Sequence, residues 1–399
     1  GKMYQLLSQY DEATGQFALA NTPEARATYL RAAETRNTDW FDLLFSNAIQ
    51  HTHSVSVSGG TDKAQYYASV SAMADPGWTR SNSVQRYTAN MNSTFNLTRQ
   101  LSANLISNAS FRKQKAPGTL SRQTDPVSGE VNRSFDINPY SYALNTSRTL
   151  DANEFYTRNY SPFNIFHELD NNYIDLNVTD FRLQGRLNYK PISALEFSVL
   201  GAVKHSATSQ EHHITDESNQ AQAYRAMGTS TIREQNRWLY TDPDNIYALP
   251  ISILPYGGIY ERTDHRMTGW DFRATAQYNN VFHNDHIVNL YVGLKTNSVD
   301  RQANWFRGWG LQYSLGMIPA YAYQVFKRGA EENTDYFTIG KTRERSVSTF
   351  MNATYSWRSR YTLNGTVRYE GTNKLGRSRS ARWLPTWNIS AAWNAHEEE

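Results

Sequence analysis

The chain contains no cysteine, so disulfide frameworks, thiolate metal sites and cysteine nucleophiles are excluded. It has no run of about 18 apolar residues, which excludes a membrane-spanning helix. The most apolar stretch outside the alternating runs, 247–260, is broken by Pro250, Pro255 and Gly257-Gly258. Strong charge of either sign is also missing: 40 Lys and Arg against 37 Asp and Glu give a net charge of +3, a near-neutral balance that does not point to nucleic acid. No signal peptide opens the chain at Gly1, so a mature product or an internal piece is expected.

What is present is polarity combined with aromatic residues. Mean hydropathy is −0.68, yet 13% of the 399 residues are aromatic, with 26 Tyr among them. That combination suits a transmembrane β-barrel, in which half of each strand faces water and aromatic girdles mark the interfaces. The clearest unit is 85–112. Tyr87, Ala89, Met91, Phe95 and Leu97 share one parity, with Ser93 the polar exception, and Arg86, Thr88, Asn90, Asn92, Thr94 and Asn96 share the other. After Arg99-Gln100, Leu101, Ala103, Leu105, Ala109 and Phe111 resume the apolar face. Side chains alternate faces along a strand, so each run is a two-faced strand and the join is a tight hairpin. At about 11 or 12 residues, each is about twice the usual soluble length and long enough to cross a bilayer at a tilt.

The unit repeats. Strands are expected at 53–59, 65–74, 181–189, 195–203, 270–278, 288–294, 347–357, 361–369 and 387–393, about eleven in all. Their joins alternate in kind. Tight turns fall near Gly60, Arg99, Pro191, Asn284 and Ser359, while long polar segments occupy 113–177, 206–267 and 300–346. Outer-membrane barrels show this asymmetry, with short periplasmic turns and long extracellular loops. Before the first strand, Thr22-Pro23-Glu24 caps a helix running to Ala33, and Asn37-Thr38-Asp39 caps a short apolar helix at 40–45. The expected organisation is a helical extracellular segment at 1–52 followed by a partial transmembrane antiparallel up-and-down β-barrel at 53–399. An odd strand count and two open edges make it an expected internal fragment, since lipid demands closure and bacterial single-chain barrels have even strand numbers.

Two stretches resemble the SusC/RagA family of TonB-dependent outer-membrane transporters. The first comprises NTDWFDLLF (Asn37–Phe45), HSVSVSGGTDKAQYYASVS (His53–Ser71) and DPGW (Asp75–Trp78). The second, RYEGTNKLGRSRSARWLPTWNISAAWN (Arg368–Asn394), resembles the family's Arg-x-Asp-Gly-Ser-Ser-Arg-Phe-Gly stretch, departing from it at Glu370, Asn373, Lys374 and Leu375. The resemblance implies a barrel of about 22 strands, of which these are roughly the second to the twelfth, and a plug and TonB-contacting segment upstream. It also implies a SusD-like surface lipoprotein partner and energised import of oligosaccharides, peptides or other large nutrients. The alternatives are a secreted, soluble all-β carbohydrate-binding protein or hydrolase, and a passive porin.

Catalytic and metal chemistry find little support. His51 and His53 share a face but have no third ligand at a suitable spacing, and solvated histidines suffice for them and for His212-His213. The glycine pairs are turns without phosphate-loop spacing. No cofactor, metal or catalytic residue is expected. The binding candidates are aromatic and basic residues expected in loops: Trp238 and Tyr240 in one, and Arg301, Trp305, Arg307, Trp309 and Tyr313 in another. Their ring faces suit sugar rings or peptide side chains.

Overall fold

The alternating runs become one antiparallel meander. The computed structural model describes residues 1–118, 123–124, 131–132, 134–375, 377–378 and 382–397. Parts of the 113–177 segment, positions 376 and 379–381 of the second family-like stretch, and the last two residues lie outside the described residues. The strands are β1 (His51–Gly60), β2 (Ala64–Asp75), β3 (Ser83–Asn96), β4 (Leu101–Pro117), β5 (Asn172–Ile192), β6 (Leu195–Ile214), β7 (Gly258–Phe282), β8 (His286–Gln312), β9 (Phe337–Trp357), β10 (Tyr361–Thr372) and β11 (Trp383–Trp393). Each pairs with its sequence neighbours, and the two-residue strand Ile318–Pro319 adds to the end of β8, making a 12-stranded sheet. The sheet is open: β1 and β11 each keep one unpaired edge among the described residues.

The register explains the alternation. Val55, Val70, Ala89, Ala109 and Phe181 lie opposite one another across β1 to β5. Phe197, Ala276, Val292, Met351, Val367 and Trp387 do the same across β6 to β11. Pairing with period 2 therefore assembles a continuous apolar face. That face is bare: Val55 is 66% and Trp387 74% exposed. No second sheet covers it among the described residues, so the chain is not a β-sandwich, whose inner faces would bury such rows. The opposite face carries Asn, Ser, Thr, Arg and Lys. Asn104 Nδ2 there donates to Asn92 Oδ1 at 2.9 Å and Thr94 Oγ1 at 3.0 Å.

The tight turns fall where the sequence places them. His283 and Asn284 have φ of 53° and 60°, and Arg358 and Ser359 have 52° and 58°, the left-handed pairs that match strand twist in short hairpins. At the other end the chain departs from expectation. The strands run well past the apolar band, to 25 residues in β7 and 27 in β8. The intervening segments shrink accordingly to 118–171, 215–257 and 313–336.

Helices occupy the segments between long strands and the start of the chain: α1 (Lys2–Ser8), α2 (Pro23–Thr35), α3 (Trp40–Leu44), α4 (Pro139–Asn145), α5 (Ile165–Asn171), α6 (Asn219–Tyr224), α7 (Ser230–Gln235) and α8 (Gln324–Glu332). Thr22 caps α2 by accepting from Ala25 N, and Asp39 caps α3 by accepting from Asp42 N. α1 and a small hairpin, Tyr10–Asp11 with Gln16–Phe17, carry no period that sequence reading detects. The buried apolar residues gather mainly in these segments rather than in the sheet. Trp40 and Leu44 of α3 pack with Ile137, Ala143, Phe163, Ile165 and Leu169, joining the first segment to the one between β4 and β5.

Candidate functional site

Arg301, Trp305, Arg307 and Trp309 lie on β8, not in a loop. The ladder with β7 continues to Leu311 and that with β9 to Phe306, so the backbone stays extended through all four. Their parity is opposite to that of Leu290, Val292 and Leu294, which puts them on the polar face. Tyr313 lies just beyond β8, in a single 3₁₀ turn, Tyr313–Leu315.

The strand extension supplies a platform and the segment between β6 and β7 folds onto it. Ile214 and Ile259, paired across β6 and β7 on the polar-face parity, form a small core with Ala221 of α6 and Leu254, against which Tyr224 and Trp309 pack. From there an aromatic chain runs outward. Tyr224 meets Trp309 edge-on at 5.5 Å and Trp238 at 6.1 Å, and Trp238 contacts Phe135 at 4.8 Å. Below it, the Arg307 guanidinium lies 5.7 Å from the ring centres of both Trp305 and Trp309. Glu261, directly opposite Arg307 on β7, accepts from Arg307 Nη2 at 3.0 Å and from Trp305 Nε1 at 2.8 Å.

Burial disfavours the Glu261 carboxylate, but Arg307 and the Trp305 N–H together hold it below the ordinary carboxylate range. Its cross-strand neighbour His212 is pushed down to about 4, chiefly by burial. His212 Nε2 lies 2.7 Å from Asn172 Oδ1. That oxygen only accepts, so Nε2 carries a proton, and the lowered pKa favours the neutral ring at neutral pH. The site is thus a half-buried guanidinium flanked by two indoles, braced by one carboxylate and backed by a neutral histidine.

The structure separates Tyr240, Arg301 and Tyr313 from this group. Tyr240 is 5% exposed, and its hydroxyl donates to Glu331 Oε2 at 2.8 Å. Its ring is therefore packed rather than open for stacking. Arg301 pairs with Glu344 at 3.1 Å further down the wall. Tyr313 places its hydroxyl 3.0 Å from His213 Nδ1, on the parity opposite to His212. Trp238, joined to the group through Tyr224, also borders a cavity of about 400 Å³, shared with Ser134, Asn159, Tyr160, Gln235 and Arg237. Asp242, Asp244 and Glu331 bring carboxylate oxygens within 4.8 Å of one another, a spacing that suits a cation. The cation there is Lys327 Nζ, at 2.6, 2.6 and 2.8 Å from the three.

Sequence reading misses Glu261, Asn172, Tyr224 and Phe135, and its reading of His212 and His213 as solvated histidines is corrected: burial dominates the environment of His212, and His213 is 7% exposed. One signal was available: Trp305, Arg307 and Trp309 recur with period 2, which marks a strand face rather than a loop.

No family model and no curated protein matches the sequence. Solved structures do. The RagAB peptide transporter aligns with 95% of this chain at 13% identity and a TM-score of 0.61. The RagAB peptide importer in its closed-closed state aligns with 91% at 14% identity and 0.61, and in its open-open state with 91% at 14% and 0.60. The chain has the fold of part of the β-barrel wall of those structures. It spans 38% of the first of those chains and 36% of each of the others.

Proposed function

We propose that this chain forms part of the barrel wall of a SusC/RagA-type, TonB-dependent importer in a bacterial outer membrane. The observation that carries this reading is the eleven-strand meander with one continuous bare apolar face, laid over 95% of its length on a peptide transporter's fold. On this reading the apolar face meets lipid and the polar face lines the lumen. The tight turns point to the periplasm, and the helix-bearing segments, including 1–52 ahead of the partial barrel at 53–399, are extracellular. Cargo is a peptide or oligosaccharide too large for diffusive pores. The energy comes from the TonB complex acting on a plug elsewhere in the full protein, and a SusD-like surface lipoprotein is the partner at the extracellular rim.

Within this reading, the Trp238–Trp309–Arg307–Trp305 group is a first contact for cargo. Indole faces stack on sugar rings or apolar side chains, and the guanidinium donates to carboxylates or stacks on ring faces. Tests use the full-length protein in its own host. Deleting its gene should abolish uptake of a fluorescent oligopeptide or oligosaccharide pool, as should deleting tonB. Uptake that persists without TonB would sink the energised reading, and recovery of the protein in the soluble fraction would sink the barrel reading.

A further inference from the structure

The outward face is sorted by charge just above the apolar band. On that face the band ends at Phe111 on β4, Phe181 on β5, Val203 on β6, Trp270 on β7, Leu294 on β8 and Val347 on β9. Phe111 lies in one cross-strand row with Arg266 and Lys341, and Lys341 is six residues above Val347 on β9. Six residues are about 20 Å of strand, the offset that five strand spacings of about 4.8 Å produce at a tilt near 40°. The upper limit of the band is therefore level in a tilted barrel wall.

Over the next two outward positions of these six strands the Lys, Arg, Asp and Glu residues are Lys113, Lys115, Arg266, Arg343 and Arg345, and none is acidic. The first acids, Asp175, Asp264 and Asp300, come at the third position. Two outward positions span about 13 Å of strand, or about 10 Å of height. Lipid headgroups occupy about the first 5–7 Å beyond the hydrocarbon, and long basic side chains bend towards them. The positive residues thus stand at headgroup depth and the negative ones above it.

The basic residues are densest on β7 and β9. Arg266 and Lys341 flank Gln302 in one row, about 10 Å apart. Arg343 and Arg345 follow down β9 towards Trp270, which shares a row with Ser298 and Arg345 and is 47% exposed. All four basic residues are exposed. Arg343 pairs with Asp300 at 2.9 Å, and Asp264 is held by Arg262 at 2.9 Å. The four share the parity of the bare apolar rows, so nothing seated in the lumen reaches them.

We propose that Arg266, Lys341, Arg343 and Arg345 form a site for a phosphorylated glycolipid of the outer leaflet, with Trp270 against its acyl chains. The inference rests on the barrel reading above, in which this face meets lipid. Charge complementarity at a fixed depth carries it. Phosphate oxygens take charge-assisted hydrogen bonds from guanidinium and ammonium groups, and clustered cations at a membrane surface draw anionic headgroups.

The test is native mass spectrometry of the purified full-length protein in detergent, titrated with diphosphoryl lipid A, its fully dephosphorylated form, or inorganic phosphate. The expected result is about tenfold tighter retention of the diphosphoryl lipid than of the dephosphorylated one. The triple variant Arg266→Gln, Lys341→Gln, Arg345→Gln should bring the two lipids to equal affinity. Lys295→Gln, an exposed change on the polar face beside Leu294, should keep the preference. If the triple variant does not assemble, Lys341→Gln alone should narrow the gap. Equal retention of the two lipids by the wild type overturns the proposal, as does a triple variant that keeps the preference or a Lys295→Gln variant that loses it. Capture of inorganic phosphate without discrimination between the lipids also overturns it. Failure of TonB-dependent uptake with the lipid preference intact counts against the importer reading and leaves the site standing.

Discussion

The sharpest test of the two-faced wall compares neighbouring residues on one strand. Ala276 and Gln277 are adjacent on β7, so their depths differ by about 3 Å, but they point to opposite faces. Ala276 sits among Phe197, Val292 and Met351 on the apolar face. Gln277 lies opposite Glu196 on the polar face. An arginine at 276 must enter lipid, whereas an arginine at 277 meets water and a carboxylate. The band on β7 runs from Trp270 to Tyr278, centred on Ala274, and Ala276 is about 7 Å along the strand from that centre. At a strand tilt near 40° this is roughly 5 Å from the midplane of a band about 25 Å tall, so the cost falls at the lower end of the 2–4 kcal/mol range for a midplane arginine. About 2 kcal/mol corresponds to a factor of about 30 in the folded-to-unfolded ratio. The assay is urea titration of the full-length protein refolded into vesicles, followed by the heat-dependent shift of the folded band on a gel. Ala276→Arg should move the midpoint by that amount and Gln277→Arg should leave it in place. Equal shifts at the two positions, or a larger one at 277, would refute the face assignment.

Further outcomes follow from the segments above the band. His212 is held neutral by burial, with its pKa pushed down to about 4. The stability it contributes is present above the ordinary histidine range and is lost as pH falls from about 6.5 towards 4, so amide exchange at the β5–β6 tips should quicken across that window. Glu168, 2% exposed and accepting from Asn219 N at 2.7 Å, has its pKa raised by burial. The α5–α6 contact should therefore weaken as pH rises through that raised value, and Glu168→Gln should flatten the pH dependence of proteolysis there. Lys327→Ala should free the Asp242, Asp244 and Glu331 carboxylates, opening the 240–251 segment to protease until millimolar calcium restores protection. Trp309→Ala should cost about 2 kcal/mol, near half the value for a fully buried tryptophan, and should raise amide exchange within 215–257 while sparing the sheet.

How much was legible follows from what each stretch buries. Within the band, lipid-type and water-type faces alternate with period 2, so all eleven strands and their tight turns could be read from the residues. Beyond the band the apolar signal ends. Glu211, His213, Arg262 and Asp264 occupy positions on β6 and β7 where Val or Phe would sit lower down, and an alternation of polar with polar leaves no trace. The strands persist there because the backbone ladder needs no apolar side chains, which is why Trp305 and Trp309 were expected in a loop. The aromatic and arginine composition of the site was visible, but its geometry was not. Tyr240 lost its ring to packing through Glu331, 91 residues away in sequence. Glu261 became its central anion only through cross-strand register.

The length of β8 has a mechanical consequence. From Ser298 to Gln312 it continues as hydrogen-bonded strand for about 45 Å, some 35 Å of height at the same tilt. Trp305, Arg307 and Trp309 are therefore mounted on a stiff mast rather than tethered to a slack loop. Their altitude above the apolar band is fixed by the pitch of the backbone, so under the importer reading a ligand gripped there would be held at a set height rather than follow a moving loop.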